Sequence, residues 1–341
     1  MPGIVHVRKR LTDISMRFPP EQQYCGGDYF PRKPVEHLSD FIVRWSKANI
    51  LRIDDLALSA PDDELPPEVE LQLSADDSYQ CRVYAVRSPD KVITKKNADP
   101  AIDYDVERAL HCRQRLDTRL EYLRLNQTLR STTVMTNNRT LTAAERWDNA
   151  TSTSNTPVSL GRSIVTNMKL LNGGNSPNVV RMTTHVKNAI VASEEFKDFT
   201  KWWLGNSGSV GGSIPIGDEE LIGTIWGLAP GAVKCCDATY NVSAAGATAS
   251  YRAFLGSDVI FAYVVPAGIR TYGLSTEFRF SGYNTDPYAI ISVPQLQRGA
   301  IPGEDIRGIS ICDPHVLNAD SGYLIKGAVD TTSSTYGGFL D

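Results

Sequence analysis

The sequence predicts an α+β fold, and three observations carry that expectation. Residues 99–131 hold an amphipathic helical pattern well beyond usual length, residues 133–250 alternate helical and strand patterns, and the chain from 251 onward is rich in strands. Its 341 residues suffice for roughly two domains at about 100–200 residues each. With 41% hydrophobic and 22% charged residues, the balance is that of an ordinary soluble globular protein.

Residues 1–48 lack sustained periodicity and are punctuated by FPP, CGGD and FPRKP, the marks of an extended arm without its own core. In EVELQLS, Val69, Leu71 and Leu73 alternate with polar residues, the period of a strand with one buried face. SADDSY then supplies turn chemistry, and Tyr79, Cys81 and Val83 continue the alternation in a second strand. The expectation is a long two-stranded excursion within 50–86. Such a ribbon is marginal alone in water, so it must lie on the body of its own chain or on another subunit.

The helix that follows has Asp99 placed as N-cap, Pro100 at the first helical position, and acids Asp103, Asp105 and Glu107 in the first turns, where the dipole favours them. Ile102, Val106, Leu110, Leu116, Leu120 and Leu123 recur at three- and four-residue steps. A helix of about 30 residues would run roughly 45 Å. Heptads do not persist past Arg113, which excludes a coiled coil. Thr156, Pro157 and Gly173 punctuate the next helix. NVVRMT (178–183) reads as a short buried strand, THVKNAIVAS and EEFKDFTKWW as helices, LGNSGSVGGSIPIG (204–217) as a flexible loop, and DEELIGTIWGL as a helix starting at Asp218. GAVKCCDATYNV supplies another strand, and the later strands are FLGSDVIFAYVV, STEFRF, YAIISVPQ, IRGISICDPHVL and GYLIKGAV.

Several function classes fall away. The longest apolar stretch, DVIFAYVVPAGI (258–269), is broken by Asp258 and Pro266 and is too short to span a bilayer. The N-terminus has no apolar signal region, so the N-x-S/T matches at Asn126, Asn138, Asn149 and Asn241 read as chance. Cys25, Cys81, Cys112, Cys235, Cys236 and Cys312 form no C-x-x-C pair, the pattern of reduced, buried thiols. His6, His37, His111, His185 and His315 are not spaced as metal ligands. GNSGSVGGS has no following lysine, so it reads as a mobile surface loop and not a phosphate cradle. Trp202 and Trp203 read as packing or interface aromatics, and the basic residues form no stripe for nucleic acid. No catalytic, cofactor-binding or metal site is expected, and no membrane partner.

Charge is unevenly spread. Residues 1–53 carry nine Lys/Arg against five Asp/Glu, and residues 54–90 carry ten acids against two arginines. The two segments are either solvated faces or meet opposite charge on neighbouring subunits.

This order of parts resembles the major capsid proteins of tailed bacteriophages, the Hong Kong 97 type fold, over about 30–330. YFPRKPVEHLSDFIVRWSKANIL resembles the end of that family's N-terminal arm, 54–86 its extended loop, and 99–131 its spine helix. The most specific part is AERWDNATSTSNTPVSLGRSIVTNMKLLNGGNSPNVVRMTTHVKNAIVASEEFKDF, with Trp147, the helix from Pro157 to Leu171, the strand from Pro177 to Met182, and the helical stretch 184–199 in the family's order. SDVIFAYVVP and DPHVLNADSGYLIKGAV resemble a later strand and the closing motif.

The resemblance implies an N-terminal arm over 1–49, an extended β loop over 50–90, a peripheral domain with the spine helix over 91–132, an axial α/β domain over 133–295, and return strands over 296–341. It implies that the closing strand returns to the peripheral domain, with Tyr323, Ile325 and Val329 facing the core and Lys326 outside. Val69, Leu71, Leu73, Tyr79, Cys81, Val83, Phe30, Phe41 and Trp45 are the expected intersubunit contacts, and Gly205, Gly208, Gly211 and Gly212 the expected tip near a capsomer axis. No lysine lies between Lys47 and Lys91, so the isopeptide crosslink of some relatives is not expected. The proline-broken stretch before the shared fold does not match a fused scaffolding helix.

The function implied is a non-enzymatic shell subunit. It would form pentamers and hexamers of an icosahedral virion around double-stranded DNA, assembled in the host bacterial cytoplasm. Expected partners are further copies of itself, a portal protein, separate scaffold or decoration proteins, and the packaged DNA through non-specific contact. The alternatives are an encapsulin-type compartment, a soluble α/β enzyme, and a monomeric binding module.

Overall fold

Two five-stranded sheets, each threaded by strands from distant parts of the chain, organise the structure, a computed structural model that describes residues 23–45, 73–91, 104–149, 152–205, 217–244, 246–265, 273–283, 289–295 and 303–330. The first sheet is built on the 14-residue strand β13 (Gly303–Val316). One side of β13 pairs antiparallel with β4 (Arg82–Lys91), from Cys312 opposite Arg82 to Gly303 opposite Lys91. Strands β12 (Ala289–Gln295) and β11 (Ser275–Phe280) also pair antiparallel with β13, and β1 (Arg32–Val35) adds to β11 in parallel.

Helix α1 (Tyr104–Tyr122) lies on this sheet and runs directly into a π-helical segment, Leu123–Leu129. Its 19 residues span about 28 Å at 1.5 Å each. The positions proposed for its N-terminal cap lie outside the described residues. The buried stripe runs through Ala109, Cys112, Leu116 and Leu120, whereas Leu110 is half-exposed. Helix and strand approach closely at Gly308 of β13, where a Cβ would meet Leu116 Cδ1 at 2.8 Å.

The second sheet has the order β5 (Asn138–Thr140), β14 (Gly322–Lys326), β10 (Val259–Ala262), β6 (Val179–Met182), β7 (Val233–Cys235). Both faces are covered, so β10 is apolar at every position and buried throughout. Val259, Phe261 and Ile325 face a core with Trp147, Trp226, Ile164 and Met168. Ile260, Ala262 and Leu324 face a second core with Tyr29, Phe30, Leu125, Leu129 and Phe254. Helices α2 (Pro157–Leu171), α3 (Thr184–Ala192), α4 (Glu194–Gly205) and α5 (Asp218–Trp226) occupy the stretches read as helical, with α4 running on through Leu204 and Gly205 of the expected loop. The carboxylate of Glu195 caps α2 by accepting from the Val158 and Ser159 N–H groups at 2.7 and 3.0 Å.

Two expectations are corrected. The closing strand does not join the first sheet: β14 lies inside the second, between β5 and β10, with Ile325 opposite Val259 and beside Arg139. Ile325 and Val329 are buried as expected, Tyr323 is half-buried, and Leu324, expected nowhere, is fully buried on the opposite face. The two-stranded excursion also has different partners. SADDSY is strand, part of β3 (Leu73–Gln80), and β3 pairs not with β4 but with β2 (Ser39–Trp45), from the segment read as arm. At Cys81 the chain leaves the ribbon, its N–H donating to the Leu38 carbonyl at 2.7 Å, and continues as β4 into the first sheet.

Candidate assembly surface

The ribbon of β2 and β3 is the described feature that least resembles a part of the subunit body. Its register runs from Ser39 opposite Gln80 to Trp45 opposite Leu73, a reach of about 20 Å at 3.4 Å per residue. Among the described residues neither strand pairs with a third, which leaves hydrogen-bonding edges on both sides.

The root of the ribbon is fixed to the first sheet. Tyr79 stacks on Phe278 with ring centroids 4.3 Å apart and planes 15° from parallel. Ile42, Tyr79 and Cys81 are buried with Phe278 and Ile311. The Gln80 N–H donates to Asp313 Oδ2 at 2.9 Å, and Asp77 Oδ2 lies 2.9 Å from His315 Nε2. Burial pushes the Cys81 thiol up to about 11, and it donates to the Phe278 carbonyl. It is a protonated packing group.

Strand alternation then decides which side chains remain outside. Ile42 points to the body, so its neighbours Phe41 and Val43 point away, and Phe41 is 67% exposed. Leu38 is also exposed, as is Val83 just past the root, at 61%. A hydrophobic group at this level of exposure, on a ribbon with two open edges, is a surface suited to being covered.

The expected contact residues therefore divide. Phe41 and Val83 lie on the exposed surface. Phe30, Tyr79 and Cys81 are buried within the chain's own cores. Leu73 and Trp45 occupy paired strand positions, and Val69 and Leu71 lie outside the described residues. Of the expected tip, Gly205 ends α4, and Gly208, Gly211 and Gly212 lie outside the described residues. Leu38 and Val43 were not anticipated, because a proline-punctuated stretch gave no sign of its strand.

Charge within the body is used structurally. Glu277 is buried between Arg124 and Arg279, at 2.7 and 2.8 Å. Burial works against its ionised form, but the two guanidinium groups prevail and hold the carboxyl below its usual range. Arg130 Nε donates to Asp258 Oδ2 at 2.6 Å, and Asp258 Oδ1 accepts from the Gly327 N–H at 3.1 Å, tying the π-helical segment to the end of β14. A shallow depression of about 240 Å³ beside Trp147 holds the Arg139–Glu145 ion pair with Ser154, Thr156 and Ser159. Another, of about 460 Å³, lies beside Gly217–Glu220 and is lined by Lys187 and Lys234. For a metal, one trio among the described residues has its ligand atoms within reach of one another: Cys25, Glu121 and Cys236. Among the described residues no helix is long and apolar enough to cross a membrane.

No family model matches the chain, and no curated protein matches it in sequence. Solved structures do match. A phage-related protein of Bordetella bronchiseptica RB50 aligns with a TM-score of 0.64 at 15% identity, over 95% of this chain and 98% of its own. The capsid of the cyanophage P-SCSP1u aligns with a TM-score of 0.54 at 8% identity, over 91% and 89%. A chain of Mycobacterium phage Cain aligns with a TM-score of 0.51 at 11% identity, over 92% and 93%. At such identities the likeness is one of backbone path, and it extends over nearly the whole of each molecule. The chain has the fold of the tailed-phage major capsid proteins, the Hong Kong 97 type.

Proposed function

We propose that the protein is a major capsid protein of a tailed phage, self-assembling into pentamers and hexamers of an icosahedral shell around double-stranded DNA. The observation that carries this reading is the β2–β3 ribbon, whose edges pair with no other strand among the described residues, with its exposed Leu38, Phe41, Val43 and nearby Val83, on a chain with a capsid fold throughout. Covering those residues with a neighbouring subunit removes apolar area from water and completes backbone pairing, which together must outweigh the entropy of ordering the ribbon. Symmetry repeats the gain at every subunit.

The arm over 1–49, the extended loop over 50–90 and the Gly-rich tip are assigned to intersubunit contacts by the same reading. It also takes the portal, any scaffold or decoration protein and the packaged DNA as partners, and the virion as the location. Light scattering with negative-stain microscopy of the purified chain tests it. Shells or ring-shaped capsomers are expected, with DNA inside particles recovered from infected cells. Shells that hold protein cargo and no DNA would favour a compartment. A chain that stays monomeric at high concentration, with scaffold supplied, would overturn the assignment.

A further inference from the structure

Cys25, Glu121 and Cys236 come from three distant parts of the chain: the turn before the short helix Gly26–Tyr29, the end of α1, and the residue after β7. All three are buried, at 0% to 4% exposure, and their sulfur and carboxylate ligand atoms lie within 4.8 Å of one another. One carboxylate oxygen of Glu121 is fully used, accepting from the N–H groups of Cys25 and Gly26 at 2.8 and 2.7 Å. The other, Oε2, is buried and has no hydrogen-bond partner. An unsatisfied buried acceptor is costly. The space beside it is kept open by Gly26, where a Cβ would meet Oε2 at 2.6 Å.

We propose that Cys25, Glu121 and Cys236 form a zinc site that fastens the segment before β1 to α1 and to the strand end after β7. The donor set selects the metal. Two sulfurs and one carboxylate suit Zn²⁺, whereas Ca²⁺ and Mg²⁺ take oxygen alone. Tetrahedral zinc at about 2.3 Å from sulfur and 2.1 Å from oxygen requires ligand atoms about 3.5–3.8 Å apart, so a spread within 4.8 Å closes with small side-chain adjustments. The Gln23 carbonyl, which accepts from the Cys236 thiol at 3.4 Å, supplies an oxygen for the fourth position. Zinc displaces the thiol protons to solvent on binding. The inference stands independently of the shell reading.

The test uses the full chain, stripped with a chelator under reducing conditions and titrated with Co²⁺ as a spectroscopic probe. Thiolate-to-cobalt absorption saturating at one equivalent is expected, displaced by Zn²⁺, with one zinc per chain by elemental analysis. The double variant Cys25→Ser, Cys236→Ser loses the absorption. Glu121→Gln keeps it with affinity weaker by about tenfold or more, the scale on which even outer partners of a metal act. Because the variants remove buried groups, the wild-type chain provides a second reading: saturating Zn²⁺ should raise its thermal unfolding midpoint and leave that of the double variant unchanged. A folded wild-type chain with no cobalt–thiolate absorption would overturn the proposal. So would absorption that survives the double variant, or an equal effect of zinc on the unfolding of wild type and double variant.

Discussion

Replacing Phe41 by serine tests whether the ribbon's outer face is an assembly contact. Phe41 is 67% exposed in the subunit, so about two-thirds of the value of a fully buried aromatic, roughly 1–2 kcal/mol, is still to be gained when a neighbour covers it. Loss of that gain weakens each contact by a factor of about 5–30. The subunit itself should be nearly indifferent, with unfolding free energy changed by less than about 0.5 kcal/mol. Two measurements separate these effects: the concentration at which particles first scatter light, and the thermal unfolding of the unassembled chain. An assembly threshold raised by roughly 5–30-fold with an unchanged unfolding transition is expected. The neighbouring variant Ile42→Ser should do the reverse and destabilise the subunit, because that side chain is buried at the root. If Phe41→Ser assembles at the wild-type threshold, the outer face of β2 stays exposed in the particle, and the reasoning from exposure to contact fails.

Gly161→Ala should destabilise the subunit by about 1–3 kcal/mol, the opposite of helix propensity, because the added methyl would meet the buried Trp226 indole, with Cδ1 at 2.6 Å. Denaturant midpoints alongside the exposed control Ser163→Ala check the sign, and a neutral or stabilising result would show that the indole yields. Tyr79→Ala should cost about 3–5 kcal/mol through loss of the Phe278 stack, read as faster hydrogen exchange in β3. Exchange unchanged in β3 would mean that the ribbon is anchored elsewhere. Glu277 has a folded-state pKa below its unfolded value. The stability it contributes is complete above the unfolded carboxylate range near 4.3 and is lost as pH falls through the folded pKa. Glu277→Gln should be less stable at pH 7 by about 3–5 kcal/mol. Its difference from wild type should shrink below about pH 4, which isolates Glu277 from Glu121, whose carboxyl burial shifts upward. A pH-independent difference would assign the loss to packing.

Local chemistry was legible where it acts locally. Pro157 starts α2, Asp218 starts α5, and the apolar run at 178–183 becomes β6, because helix starts and short buried strands are specified within a few residues, whereas the cap of α2 comes from distant Glu195 and not from Thr156. Pairing partners were not. Alternation in 69–83 reveals which side chains share a face, but it has the same period whichever strand lies alongside, so β2 and β13 were hidden as the partners of β3 and β4. The place of β14 was missed for the same reason: GYLIK carries no mark that distinguishes the second sheet from the first. The stripe of α1 was read correctly at Leu116 and Leu120 but not at Leu110, which is half-exposed, because periodicity alone does not fix the edge of the buried face. The grouping of Cys25, Glu121 and Cys236 depends on separations of about 100 residues, beyond any spacing rule.

The position of β14 has a consequence for synthesis. β10 is flanked by β6, made long before it, and by β14, which the ribosome delivers about 60 residues later, or roughly 3–12 s at ordinary elongation rates. Until then the middle of the second sheet has an open edge, and Asp258 lacks the Gly327 N–H that it accepts in the finished fold. A nascent chain carrying the ribbon and the first sheet therefore still has its central β10 edge unclosed, and its two cores lack Leu324, Ile325 and Val329. A chain released before residue 322 therefore lacks that closure, and the middle of its second sheet keeps an unpaired β10 edge.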